Sequence, residues 1–285
     1  MDLTKPGIFG MTDALSGSEL TSLARAVEEL GYSSFWFPEA FGRDPFAVAA
    51  HVLTATRSLI VGTGIANVWK REPVTMINAA RTLSEMFSDR FILGVGISHG
   101  PLMSQVGIRY ERPVAFMRDY LARMKTAPYA APRPPADPPI VVAALMPKML
   151  ELAAAQTGGT YPVFVTPERT ARMRAAIGPE KWLCVQQVAV HETDAAKARA
   201  IGRGVLGFYL QLPNYARTFR HHGFTEADLS DGGSDRLVDA LVAWGDEASI
   251  RARVRAHYDA GATHVCLALV PTPDERVLRL LSPSR

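Results

Sequence analysis

The sequence predicts an α/β protein with a single (β/α)₈ barrel over residues 1–285, and three observations carry that prediction. Eight short apolar runs alternate with segments of helical period along the whole chain. The runs are continuously apolar rather than alternating with polar residues, as in parallel strands covered on both faces. No glycine-rich phosphate turn follows the first run, where an open doubly wound sheet would place one; Thr12-Asp13-Ala14-Leu15 stands there instead. A barrel of this kind takes roughly 250 residues, and the chain has 285, of which 48% are hydrophobic.

The first strand is GIFGMT (7–12), and the polar cluster at 16–19 caps a helix that ends at Gly31. SSFWFPE (33–39) is the second strand, and Asp44-Pro45 opens the helix running towards Thr56. LIVGTGI (59–65) is the third, with a helix from Pro73 to about Phe87, and FILGVGIS (91–98) is the fourth, with a helix over 113–125. A proline-rich link (128–139) leads to IVVAAL (140–145) and a helix over 148–156. TYPVFV (160–165) is followed by a helix starting at Pro167, and WLCVQQVAV (182–190) by a helical stretch from Asp194 to about His222. Helical segments at 236–244 and 247–260 precede the eighth strand, HVCLALV (264–270), and a last helix covers 274–281.

Net charge is only +3, from 31 basic and 28 acidic residues spread along the chain, so no tract suits a nucleic-acid backbone. The amino-terminal segment does not read as a signal peptide. The apolar runs, such as 140–146, fall far short of the about 20 residues that span a bilayer. Cys184 and Cys266 lie in apolar strand runs and read as buried thiols, which makes a reducing cytoplasm the expected setting. His264 reads as a capped or exposed residue at the opposite end of the barrel, and His221, His222 and His257 as surface positions on helices. No residue cluster has metal-ligand spacing.

Ligands of a barrel sit at the carboxyl ends of its strands. Those ends supply Pro38, Glu39 and Arg43; then Gly64, Ile65, Asn67, Trp69, Lys70 and Arg71; then Ser98, His99 and Gly100; and finally His191. Glycines and polar groups together suit a flat aromatic ligand approached closely by backbone.

The segments FWFPEAFGRDPF, VGTGIANVWKREPVTMINAARTLSEM and DRFILGVGISHGPLMSQVGIRYERPVAFMRDYL, with VTPERTARMRAAIGP from Val165, resemble the bacterial luciferase-like superfamily and its F420-dependent oxidoreductase branch. The resemblance covers most of the chain and is strongest over 35–124. It implies a luciferase-like barrel binding the deazaflavin coenzyme F420, or FMN as the alternative, and exchanging hydride with a small-molecule substrate. It also implies a non-proline cis peptide at Gly64-Ile65. Asn67, Ser98, His99 and Gly100 would contact the cofactor, and the amides of Gly158 and Gly159 would receive its phosphate. Glu39 takes a position where related enzymes carry an acid serving in proton handling; its other reading is an ion pair with Arg43. Relatives often have Asp-His there, whereas this chain has Glu39-Ala40. Trp69, Phe41 and Met103 are candidate apolar walls, and a homodimer is expected.

Other patterns compete. Gly96-Ile97-Ser98-His99-Gly100 fits the nucleophile-elbow pattern of serine hydrolases, with Asp246 and His257 as the remaining triad candidates. Gly202 to Gly207 fits G-x-G-x-x-G but lies in a helical stretch rather than after a strand. A barrel without catalytic function is the third alternative.

Overall fold

The computed structural model describes residues 1–271 and 274–283. In chain order the elements are β1 (Gly7–Phe9), α1 (Gly17–Glu29), β2 (Ser34–Phe37), α2 (Pro45–Ala55), β3 (Ile60–Thr63), β4 (Ala66–Asn67), α3 (Pro73–Met86), β5 (Phe91–Gly96), α4 (Gly100–Gln105), α5 (Pro113–Lys125), β6 (Ile140–Val142) and α6 (Pro147–Gln156). They continue with β7 (Gly159–Thr160), α7 (Pro167–Ile177), β8 (Trp182–His191), α8 (Ala195–Leu210), α9 (Pro213–His221), α10 (Glu226–Leu229), α11 (Asp235–Leu241), β9 (Val242–Gly245), α12 (Glu247–Asp259), β10 (His264–Leu269) and α13 (Glu275–Leu280).

All strand pairs are parallel, and the order β10-β1-β2-β3-β5-β6-β7-β8 closes on itself through six β8–β10 partners, His264↔Cys184 to Leu269↔Ala189. The expected eight-stranded barrel is therefore present. β4 carries the line of β3 onward against β5, pairing Ala66 with Val95 and Asn67 with Gly96. β9 pairs with the end of β8, Val188↔Val242 to His191↔Gly245. Since Val188 and Ala189 pair with both β9 and β10, β9 must occupy the opposite edge of β8.

Two layers of apolar residues hold the barrel. Phe35, Phe37, Val61, Phe91 and Leu93 face the helices, against Val48, Val52, Met76 and Ala80. The alternate positions Trp36, Ile60, Ile92, Val141, Cys184 and Cys266 form a separate cluster with Tyr161. Trp36 on β2 stacks on Tyr161, beyond β7, with ring centroids 4.7 Å apart, so this second cluster fills the barrel interior. Room for the Trp36 indole depends on Gly62, where an added Cβ would lie 2.3 Å from the ring.

Local signals explain most helix starts. Ser16 and Glu19 form a reciprocal capping box on α1. Asp44 caps α2 and Thr166 caps α7, each followed by proline at the first helical position.

Several expectations need correction. The stretch over 194–222 is two helices, broken where Pro213 restarts the chain after Leu212. The predicted helix over 236–244 ends at Leu241, and Val242–Gly245 is a strand, because Val242 and Ala243 are buried against β8. The run 160–165 contributes only Thr160, the second residue of the two-residue β7, and one bridge, Val163↔Gln186. His264 is fully buried in the barrel floor, where its Nδ1 lies 3.1 Å from the Leu3 carbonyl and its Nε2 2.8 Å from Ser34 Oγ. His257 is also fully buried, between Thr170 Oγ1 at 2.9 Å and Gln187 Oε1 at 2.8 Å, because α12 turns that face onto α7 and β8. His222 is half-buried. Gly202 serves helix packing: a Cβ there would lie 2.7 Å from Val238 on α11. Cys184 and Cys266 are buried free thiols, as expected. Among the described residues, no helix is long and apolar enough to cross a membrane.

Candidate active site

The carboxyl ends of β2, β3 and β5 meet at one mouth of the barrel. Gly64 N–H donates to the Phe37 carbonyl (2.7 Å) and Glu39 N–H donates to the Ile65 carbonyl (3.0 Å), so the ends of β2 and β3 are tied together just past the strands. The Gly64-Ile65 peptide bond between those two contacts is cis, at the expected position. Ile65 leans on β5, where a Cβ on Gly96 would come within 2.6 Å of its side chain. Tyr161 lies against Gly64, its hydroxyl 3.0 Å from where a Cβ would stand.

Glu39 is nearly enclosed, with its side chain 6% exposed. Its Oε2 accepts from Asn67 N–H at 2.9 Å and from Arg71 Nη1 at 2.5 Å, and Lys70 Nζ stands 3.7 Å from Oε1. Arg71 also reaches Asp44 at 2.5 Å and lies over the Phe46 ring at 5.4 Å. The ion-pair partner of Glu39 is thus Arg71 and Lys70 rather than Arg43. The reason is the loop after β2: the Asp13 carboxylate accepts from the amides of Phe41, Gly42 and Arg43, which turns the Arg43 side chain to the Leu15 carbonyl.

Asn67 is buried. Its Oδ1 accepts from Trp69 N–H at 3.0 Å, and its Nδ2 faces Met103 Sδ at 3.3 Å. Trp69 donates to the Ile97 carbonyl at 2.8 Å and stacks on Phe116 at 3.7 Å between centroids. Of the proposed apolar walls, Met103 is therefore buried beside Asn67, whereas Phe41 is 77% exposed and walls nothing.

Past β5, Ser98 takes a left-handed conformation (φ 52°) and His99 begins α4, which Gly100 opens. His99 Nδ1 is 3.2 Å from Asn214 Oδ1, and its ring sits 5.4 Å from that of Tyr215 on α9. The amide oxygen accepts, so Nδ1 carries the proton and Nε2 keeps its lone pair. Burial lowers the pKa of His99, partly offset by the Asn214 hydrogen bond, so the ring is neutral at pH 7. Asn214 and Tyr215 had no local signal in the sequence; they reach the mouth only because the α8–α9 segment folds back towards it.

Gly158 and Gly159 lie elsewhere. Gly158 N–H donates to the carbonyl of Ile140, the first residue of β6, and Gly158 O accepts from Trp182, the first residue of β8. They stand level with strand starts, at the end away from the mouth, and Gly159 is small because β8 backbone would lie 2.0 Å from a Cβ. The Ser98 triad also fails to form: both ring nitrogens of His257 are engaged, and Asp246 caps α12 through Ser249 N–H. A cleft of about 370 Å³ runs outside the mouth between the 68–73 segment and α5, lined by Trp69, Arg71, Phe116 and Tyr120.

The mouth has features that fit a flat cofactor. Two glycines bring backbone close at Gly64 and Gly96, His99 offers an imidazole acceptor, and Thr12 Oγ1, past the end of β1, is buried with no partner.

The profile of the luciferase-like monooxygenase family matches residues 2–264. The chain belongs to this family. A Mycobacterium tuberculosis protein provisionally named a coenzyme F420-dependent oxidoreductase is 26% identical to this family member, over 90% of this chain and 91% of the relative. Among solved structures, the F420-dependent tetrahydromethanopterin reductase of Methanopyrus kandleri superposes with a TM-score of 0.80 at 17% identity, covering 99% of this chain and 98% of the reductase. The FMN complex of a type II Baeyer-Villiger monooxygenase from Pseudomonas putida gives 0.70 at 14% identity, covering 98% of this chain and 97% of that chain.

Proposed function

We propose that this luciferase-like barrel is an F420-dependent oxidoreductase acting on a small organic substrate. The observation that carries the reading is the meeting of Glu39, the Gly64-Ile65 backbone, Asn67 and the Ser98–His99 turn at one barrel mouth. The family relationship and the F420-linked relatives support the choice of cofactor. Bound there, the deazaflavin would supply hydride exchange.

The chain's own residues would hold and orient the ligand. Glu39 acts first as a clamp: with Oε2 taken by Asn67 N–H and Arg71, it fixes the 65–71 segment against β2. Its Oε1, with Lys70 at 3.7 Å, is the atom through which Glu39 would handle a proton. His99, neutral and anchored by Asn214, presents Nε2 as the second acceptor at the same mouth. Gly64, Ile65, Asn67, Ser98 and Gly100 complete the cofactor contacts, and the buried thiols fit a cytoplasmic setting.

An FMN-dependent monooxygenase is the second reading, favoured by the FMN-bound structural neighbour. Titration of the purified protein with F420 and with FMN, followed by fluorescence, separates the two. Micromolar or tighter F420 binding is expected; tight FMN binding without an F420 response would reverse the choice, and no response to either would favour a non-catalytic barrel.

A further inference from the structure

A second group of side chains near the mouth is electrostatically incomplete. α7 begins where the chain leaves the barrel after Val165, with Thr166 Oγ1 accepting from Arg169 N–H at 3.2 Å. The Arg169 side chain reaches the Leu145 carbonyl, beyond β6, with Nη2 at a long 3.5 Å. Its Nε is buried and has no hydrogen-bond partner. His222, just past α9, has its Nε2 buried and unpartnered in the same way. The two residues sense one another: His222 is pushed down to about 4 first by burial and then by the charges of Arg169, His221 and Arg172.

Among the described residues Arg169 forms no ion pair. Arg90, Arg174 and Arg253, which form none either, instead donate to several backbone carbonyls, whereas Arg169 has only the long contact to Leu145 and a buried Nε with no acceptor. The adjacent Glu168 engages Thr166 and feels Arg253 and His257 instead. A half-buried guanidinium without a counter-charge is costly, and unpaired buried donors are rare enough to need a reason. The first turn of an eleven-residue helix adds its own preference for negative charge.

We propose that Arg169 and His222 form an anion subsite at the rim of the mouth, which takes a phosphate or carboxylate of the bound ligand. The anion belongs either to the cofactor side chain or to the substrate. Which ligand brings it rests on the oxidoreductase reading, but the subsite does not. If the substrate brings it, the substrate class narrows to small organic anions.

The test uses calorimetric titration of the full chain with inorganic phosphate and with F420, in wild type, Arg169→Met and Arg169→Lys. Phosphate should bind wild type in the millimolar range and Arg169→Met at least tenfold more weakly, with Arg169→Lys in between. If F420 affinity falls alongside, while a phosphate-free deazaflavin binds both proteins alike, the anion is the cofactor's. If F420 binding holds and only phosphate is lost, the anion is the substrate's. Arg169→Met without ligand should melt no lower than wild type, since it removes an uncompensated cation. Wild type that ignores phosphate at tens of millimolar, or Arg169→Met that binds phosphate and F420 like wild type, overturns the subsite. Arg169-dependent phosphate binding in a protein that binds neither F420 nor FMN would leave the subsite standing and sink only the cofactor assignment.

Discussion

Glu39→Ala breaks the clamp at the mouth. It leaves Asn67 N–H without its acceptor and strips Arg71 of one of two carboxylates, the other being Asp44. A charge-assisted hydrogen bond is worth about 1.5–3 kcal/mol, and a buried amide left unpaired adds about 1 kcal/mol, so the loss should be about 3 kcal/mol. Arg71 is 15% exposed and keeps Asp44, which places the value below the figure for a fully buried pair. With about 2.1 cal/mol/K of unfolding entropy per residue, a chain of 285 residues should lose about 5 °C in Tm. Glu39→Gln keeps an acceptor for Asn67 and should lose about half that. The double variant Glu39→Ala/Arg71→Met should lose less than the sum of the single variants, because both break the same contact. Thermal unfolding followed by circular dichroism measures all four proteins, and F420 titration reads the mouth. If Glu39→Ala melts within 1 °C of wild type and binds F420 equally well, the clamp does not exist as described.

Five further outcomes are expected. His257 and His264 have folded-state pKa values of about 4, against a reference of 6.5, because burial disfavours their charged forms. The unfolded chain therefore takes up protons first: stability is complete above pH 6.5 and falls between 6.5 and 4, each histidine costing about 2 kcal/mol at pH 5. Urea unfolding at pH 7 and pH 5 reads this, and a flat profile would contradict the burial. Gly94→Ala would put a Cβ 1.9 Å from the Thr63 carbonyl oxygen, so it should cost more than the ~1–3 kcal/mol of ordinary overpacking. Gly204→Ala, with open space on an exposed face of α8, should stabilise by about 0.5–1 kcal/mol. A serine-directed fluorophosphonate should fail to label Ser98; stoichiometric labelling lost in Ser98→Ala would restore the hydrolase reading. Light scattering at micromolar concentration should give the mass of a homodimer, and a monomer would reject that proposal.

What the sequence alone determined is what short-range rules encode. Apolar runs at strand spacing, the Ser16–Glu19 box and the prolines at helix starts are read within a few residues, and they were enough for the barrel and for the mouth that gathers Glu39, Gly64 and His99. The resemblance located the cis peptide. Tertiary closure decided the rest. Glu39 chooses Arg71 over the nearer Arg43 because Asp13 has already turned the loop between them. His99 meets Asn214 across 115 residues. His257 sits on a helix of mostly polar residues yet is buried, since α12 faces α7 and β8 together. Gly158 and Gly159 looked like a phosphate cradle but stand at strand starts, because where a residue falls along a barrel stave depends on the register with its neighbours. Such partners are set by which staves become adjacent when the sheet closes, and no local period carries that information.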